Sequence, residues 1–200
     1  ILGAQPVEIN GRPAIVLDGN DAVGDGLTLT ATADGSTIRG LVIRDFGGSG
    51  VVIDAGSSGN VIAGNFIGSL DTDGENLGAG EVNGGEGIAV YGDHNTIGGL
   101  GAQDRNVLSG NAYAGIYISG EAADANAVIG NFIGLDDEGD TAVGNRSGIW
   151  IDLGADDNVI GGTTAAHRNV IANTTNELIG VVDASTDGTI IRGNHLGTDA

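Results

Sequence analysis

The 200-residue chain has no cysteine, no lysine and no methionine, and only two prolines. Without cysteine there is no disulfide, and no thiolate to hold a metal. Without lysine there is no Schiff-base chemistry, and one of the usual bases for acting on acidic sugars is gone. With so little proline, the turns rely on the conformational freedom of 39 glycines rather than on a fixed φ. Positive charge is scarce too: seven arginines stand against 27 acidic residues, for a net charge of −20 and a pI of about 4.1. That balance repels phosphate backbones and argues against a nucleic-acid partner. It suits a soluble protein in a salty, calcium-containing medium. Apolar runs are three to five residues long, the length of strands and far short of a membrane span, so no membrane insertion is expected.

What is abundant is repetition. Asn126 to Gly134 reads N-A-V-I-G-N-F-I-G, Asn60 to Gly68 reads N-V-I-A-G-N-F-I-G, and Thr189 to Gly197 reads T-I-I-R-G-N-H-L-G. Asn65 and Asn131 are 66 apart, and Asn131 and Asn194 are 63 apart. Asn95-Thr-Ile-Gly-Gly99 recurs as Asn158-Val-Ile-Gly-Gly162, and Arg105-Asn-Val-Leu108 as Arg168-Asn-Val-Ile171, each 63 residues on. Such a period names an architecture before any local assignment is made.

Inside the period, apolar residues alternate at Leu27/Leu29, Val51/Ile53, Ile88/Val90, Ile116/Ile118, Ile149/Ile151 and Ile179/Val181, which places each pair on one face of a strand. The openings at residues 50, 87, 115 and 148 are 37, 28 and 33 apart, so one coil takes roughly thirty residues and two coils make the long period. Three short strands per coil without helical periodicity describe a parallel β-helix of about six coils, with like residues stacked about 4.8 Å apart. Asn60, Asn95, Asn106, Asn126, Asn158 and Asn169 recur at the strand edges, where their amides can bond to the coils above and below. Residues 1–25 fit least well: Val7-Glu-Ile9 and Ala14-Ile-Val-Leu17 read as strands about an Asn10-Gly11 turn, forming an irregular first coil or N-terminal edge before the regular coils of 26–200. The chain opens on Ile1-Leu2 and stops partway through a motif, as expected of a piece of a longer array.

The series N-x-I-x-G-N-x-I-G, then D-x-D-G or D-D-E-G, then G-I-x-I, N-x-I-G-G and R-N-V-x-S-G-N resembles the right-handed parallel β-helix repeats of large bacterial secreted and cell-surface proteins, over about residues 26–200. The resemblance implies an all-β solenoid and an extracellular or cell-surface setting. It does not choose an activity, because the wider pectate-lyase-like superfamily holds lyases, polygalacturonases, alginate epimerases, phage tailspikes and passive stalks.

A repeating chain supplies its own control, since a residue that acts should break the pattern that a structural one obeys. His94, in Tyr91-Gly-Asp-His-Asn95, is similar to the Tyr, Asp and His cluster of alginate epimerases but differs in spacing, and its place in the sister repeat is taken by Asp157. His167 answers to Asp104, and His195 to Phe66 and Phe132. Arg12, Arg44 and Arg146 lack counterparts; Arg146, near the Asp136-to-Asp140 loop in sequence, is the candidate charge neutraliser of a lyase, against the plainer reading of a solvated loop arginine. Two acidic loops follow the Gly-Asn-Phe-Ile-Gly motif: Asp71, Asp73, Glu75 and Asn76 in one, Asp136, Asp137, Glu138 and Asp140 in the other. Alternating oxygen ligands with a turn glycine suit Ca²⁺, although they equally describe turns whose aspartates cap backbone amides.

The outward position of G-I-x-I reads Thr28, Val52, Ala89, Tyr117 and Trp150, with Tyr91 two residues past Ala89. Tyr91, Tyr117 and Trp150 therefore gather on one flank, a platform for sugar rings or a surface to bury against another protein, a second copy included. The expected function is a structural or adhesive module binding polysaccharide or cell-surface glycan on this flank, with no cofactor required. The alternative is a polysaccharide lyase or C5-epimerase-like enzyme using Ca²⁺ and either Arg146 or His94.

Overall fold

The computed structural model describes Glu8, Ile9 and residues 11–197, which wind as a right-handed parallel β-helix. Sheet I stacks Leu27–Leu29, Val51–Ile53, Ile88–Val90, Ala114–Ser119, Ser147–Asp152 and Ile179–Val181. Sheet II stacks Thr37–Arg39, Val61–Ala63, Thr96–Gly98, Ala127–Ile129, Val159–Gly161 and Ile190–Arg192. Sheet III stacks Ile15–Ala22, Leu41–Phe46, Phe66–Gly68, Val107–Ser109, Phe132–Ile133, Val170–Ile171 and His195–Leu196. Every pairing within these sheets is parallel, and Ile88 aligns with Val51 on one side and Ile116 on the other. Six coils thus run from Leu27 to Leu196, preceded by one strand of sheet III. The coil spacing expected from the sequence is the register observed.

The start of the chain is more specific than the sequence implies. Ile15–Ala22 already stacks in parallel on Leu41–Phe46, with an irregularity between Asp18 and Ala22, while Glu8–Ile9 folds back antiparallel on Arg12–Pro13. Val7 and Asn10 of the expected hairpin lie outside the described residues.

The core is a single column. Ile53, Ile62, Ile67, Ile88, Ile97, Leu108, Ile116, Ile118 and Ile133 are fully buried, and each packs against its equivalents one coil away. At about 25 cal/mol per Å² of apolar surface removed from water, these stacked side chains are the main favourable term. The coil corners need something else, because turning the backbone leaves amides without strand partners. Asparagine ladders supply the partners. Asn60, Asn95 and Asn126 each donate a backbone N–H to the side-chain oxygen of the asparagine one coil on, ending at Asn158. A second ladder runs Asn65, Asn106, Asn131, Asn169 and Asn194. A third joins Asn83, Asn111 and Asn145 between sheets III and I. The residue before the first ladder is left-handed in every coil, with φ of 67° at Gly59, 55° at His94, 54° at Ala125 and 55° at Asp157. His94 and Asp157 are therefore equivalents in conformation as well as in sequence.

The two-coil period comes from alternating loops. Long connections follow sheet III at 69–87 and 134–146, and in the intervening coils the long connection instead follows sheet II, where the 3-10 turns Ala102–Asp104 and Ala165–His167 lie. The loops after sheet III fold over its outer face, where Leu70, Leu135 and Val143 cover Val42, Phe66, Val107, Phe132 and Val170 in a second apolar cluster. On sheet I the outward Val52 and Ala89 are buried too, whereas Tyr117 and Trp150 stay partly exposed.

Candidate functional site

On the outer face of sheet I the outward row is in register from coil to coil: Val52 beside Ala89, Ala89 beside Tyr117, Tyr117 beside Trp150, and Trp150 beside Gly180. The row at the start of the same strands carries small residues at Ala114 and Ser147. A large ring beside a small residue leaves a depression. It is a cavity of about 250 Å³ lined by Tyr117 and Trp150, by Ala114 and Ser147, by Glu86 and Asp152, and on the loop side by Tyr113, Arg146 and Asn176.

Each wall is held in place. Trp150 lies flat because its neighbour in the next coil is Gly180, where an added Cβ would fall 2.6 Å from the indole Cε3. Its Nε1 donates to Asp152 Oδ2 at 3.0 Å, which fixes the ring's rotation. Tyr117 meets Tyr91 edge to face with centroids 6.1 Å apart, a favoured aromatic geometry. Arg146 stands 5.7 Å over the Tyr113 ring, and with the Asn176 amide turned over, its oxygen accepts from Arg146 Nε at 3.2 Å. Burial raises the Tyr117 phenol pKa; the Ser119 hydroxyl works against this, and the Asp152 carboxylate adds to it. The Tyr91 phenol is also raised, by burial first and then by Glu86.

The sequence singled out Tyr91, Tyr117 and Trp150, and the structure brings them onto one flank with Tyr91 at its edge. Sequence reasoning missed Tyr113, Glu86, Asp152 and Asn176. Tyr113 carried a usable signal, a tyrosine with no repeat partner at a coil corner four residues before Tyr117. Arg146 lies in this cavity and is exposed, while no residue of the 136–140 loop lines it. His94 is exposed on a turn, with Nδ1 2.6 Å from Asp93 Oδ2, and does not line the cavity.

The acidic loops are occupied by their own turns. Asp71 Oδ1 accepts from the Asp73 and Glu75 amides, and Asp136 Oδ1 accepts from the Gly139, Asp140 and Thr141 amides. Arg12 bridges the two loops, 2.7 Å from Asp137 and 3.4 Å from Asp73. Among the described residues the carboxylates close enough to share a cation are instead Asp18, Asp45 and Glu81, where Arg44 already stands 3.0 Å from Asp18 and 3.3 Å from Glu81. The three arginines without repeat partners thus serve two acidic clusters and the aromatic cavity.

Comparison with protein-family models, with curated proteins and with solved structures finds no match for this chain. No helix among the described residues is long and apolar enough to cross a membrane.

Proposed function

We propose that this β-helix is a rigid extracellular or cell-surface module, of the kind found in the pectate-lyase-like superfamily, that binds glycan on the outer face of sheet I. The observation that carries the reading is the cavity of Tyr113, Tyr117 and Trp150 between Glu86, Asp152, Arg146 and Asn176. Flat rings offer their faces to the C–H side of a sugar, and carboxylate, guanidinium and amide groups at the rim match its hydroxyls. Stacked strands keep this surface rigid, so little ordering entropy opposes binding.

The test is a polysaccharide panel scored for both retention and cleavage, in calcium and in chelator, with Tyr113→Ala and Arg146→Gln beside the parent chain. Both side chains are exposed, so each variant should keep its thermal stability within about 0.5 kcal/mol while losing most of its retention. Cleavage of any polymer that depends on Arg146 would replace this reading with the enzymatic one. Full retention by both variants would remove the cavity from consideration.

A further inference from the structure

A second site lies on the other side of the molecule, under the N-terminal hairpin. Arg105 is half-buried with its guanidinium stacked 3.8 Å from the Phe132 ring centroid, and its Nε is buried without a hydrogen-bond partner among the described residues. Its repeat partner Arg168 donates the same Nε to the Gly193 carbonyl at 3.3 Å. The two sequence motifs are alike, and only one arginine is satisfied. Arg105 lines a cavity of about 280 Å³ with Arg12, Gln103 and Asp137, walled by Pro13 and Phe66. Asp137 uses Oδ2 to pair with Arg12 at 2.7 Å, while its Oδ1 is buried with no partner among the described residues. One cavity therefore holds a buried donor and a buried acceptor, both unmet among the described residues, two of the four such side-chain atoms found there. Leaving either unpaired forfeits its full desolvation cost, more so when the group is charged.

We propose that this cavity binds a protonated phosphate, as the free ion or as a phosphomonoester. Asp137 favours the Arg105 charge from across the cavity but accepts no hydrogen bond from its buried Nε, so the half-buried guanidinium still calls for an oxygen acceptor, and its planar fork matches an oxyanion. The free Asp137 oxygen calls for a donor, which selects among oxyanions: a phosphate that keeps a proton can donate to it, whereas sulfate has none to give and meets carboxylate repulsion. Arg12 pairs with Asp73, Asp137 and Glu138 at the rim, one cation against three carboxylates, so the rim stays acidic. The chain's net charge of −20 opposes approach of any anion and keeps affinity modest. This site does not depend on the glycan reading, since the two cavities share no residue.

Titration calorimetry on the full chain at about pH 6, near the second pKa of a phosphomonoester, with inorganic phosphate, methyl phosphate and sulfate tests the site. Phosphate should bind at least about tenfold tighter than sulfate, and Arg105→Gln should weaken it by about tenfold or more, the loss of a charge-assisted hydrogen bond. Asp137→Asn, which replaces a pure acceptor with an amide that also donates, should narrow the phosphate-to-sulfate gap. Thermal unfolding reports whether Arg105→Gln folds; if it does not, Arg105→Lys keeps the charge and stem, loses the fork, and should still weaken phosphate. Methyl phosphate binding as well as the free ion identifies a monoester site, and its failure identifies an ion site. Equal binding of phosphate and sulfate, no binding of either, or undiminished binding by the arginine variants overturns the proposal.

Discussion

Sheets I and III both carry outward-facing apolar rows, yet the row on sheet III is buried from Val42 to Val170, while the row on sheet I is buried at Val52 and Ala89 and opens at Tyr117 and Trp150. On sheet III, Phe66 and Phe132 are 5% and 4% exposed beneath Leu70, Leu135 and Val143. On sheet I, Tyr117 and Trp150 remain partly exposed around an open cavity, and Tyr113 at the corner is 49% exposed. The strands do not make this difference. The loops do, because both long connections after sheet III fold back over that sheet and none folds over sheet I. In a solenoid an outward residue has no fixed fate; its chemistry follows from where the coil's spare length goes. The residue types agree where the sheet I row opens, since its exposed end uses Tyr117 and Trp150, which bring a polar handle to the surface, where the covered row uses Phe and Val.

Substitution on the covered face should have the largest effect. Phe132→Ala removes a buried ring from under Leu135 and takes away the surface on which Arg105 stacks. A loss of about 3–5 kcal/mol is expected for such a truncation, read as a lower midpoint in urea unfolding with the slope unchanged. A loss near zero would mean that the loops do not bury this face in solution. Trp150→Ala on the open face should destabilise by only about 1–2 kcal/mol, because the indole is partly exposed already. It should nevertheless abolish glycan retention. A loss as large as that of Phe132→Ala would show that both faces are core, and the comparison would collapse.

Much of the architecture was legible in the sequence because the forces that make it are periodic. Ile88, Ile116 and Ile149 stack on one another because like side chains at a fixed repeat bury most surface in register, so their spacing alone gives the coil length. The asparagines were legible for the same reason. Two things were not. The covering of sheet III depends on how 69–87 and 134–146 fold, and Leu70, Leu135 and Val143 fall outside any strand pattern. The composition of the cavity depends on a corner, where Tyr113, Arg146 and Asn176 converge from three coils without sharing a period. Repeat logic even misled at Arg105, which matches Arg168 in its motif but not in its partners.

The smallest effect sharpens the comparison through pH. Asp136 is buried at 3% exposure within the loop that covers sheet III. Burial works to raise its pKa, but hydrogen bonds from Thr141 and from the Asp140 and Gly139 amides outweigh it, leaving the pKa below the ordinary 3.8. A depressed folded-state pKa means that the carboxylate's contribution is complete above the unfolded value and disappears as pH falls through the folded one. Asp136→Asn keeps an acceptor but not the charge, so it should lower stability by about 1 kcal/mol at neutral pH. The gap to the parent chain should hold down to about pH 5 and close below about pH 3. The open face has no equivalent carboxylate tying a covering loop to itself, so glycan retention by Asp136→Asn should match the parent at neutral pH. If the stability gap persists in acid, the carboxylate is not what fastens this loop; if retention falls along with stability, the two faces are coupled and cannot be treated as separate surfaces of one rigid coil.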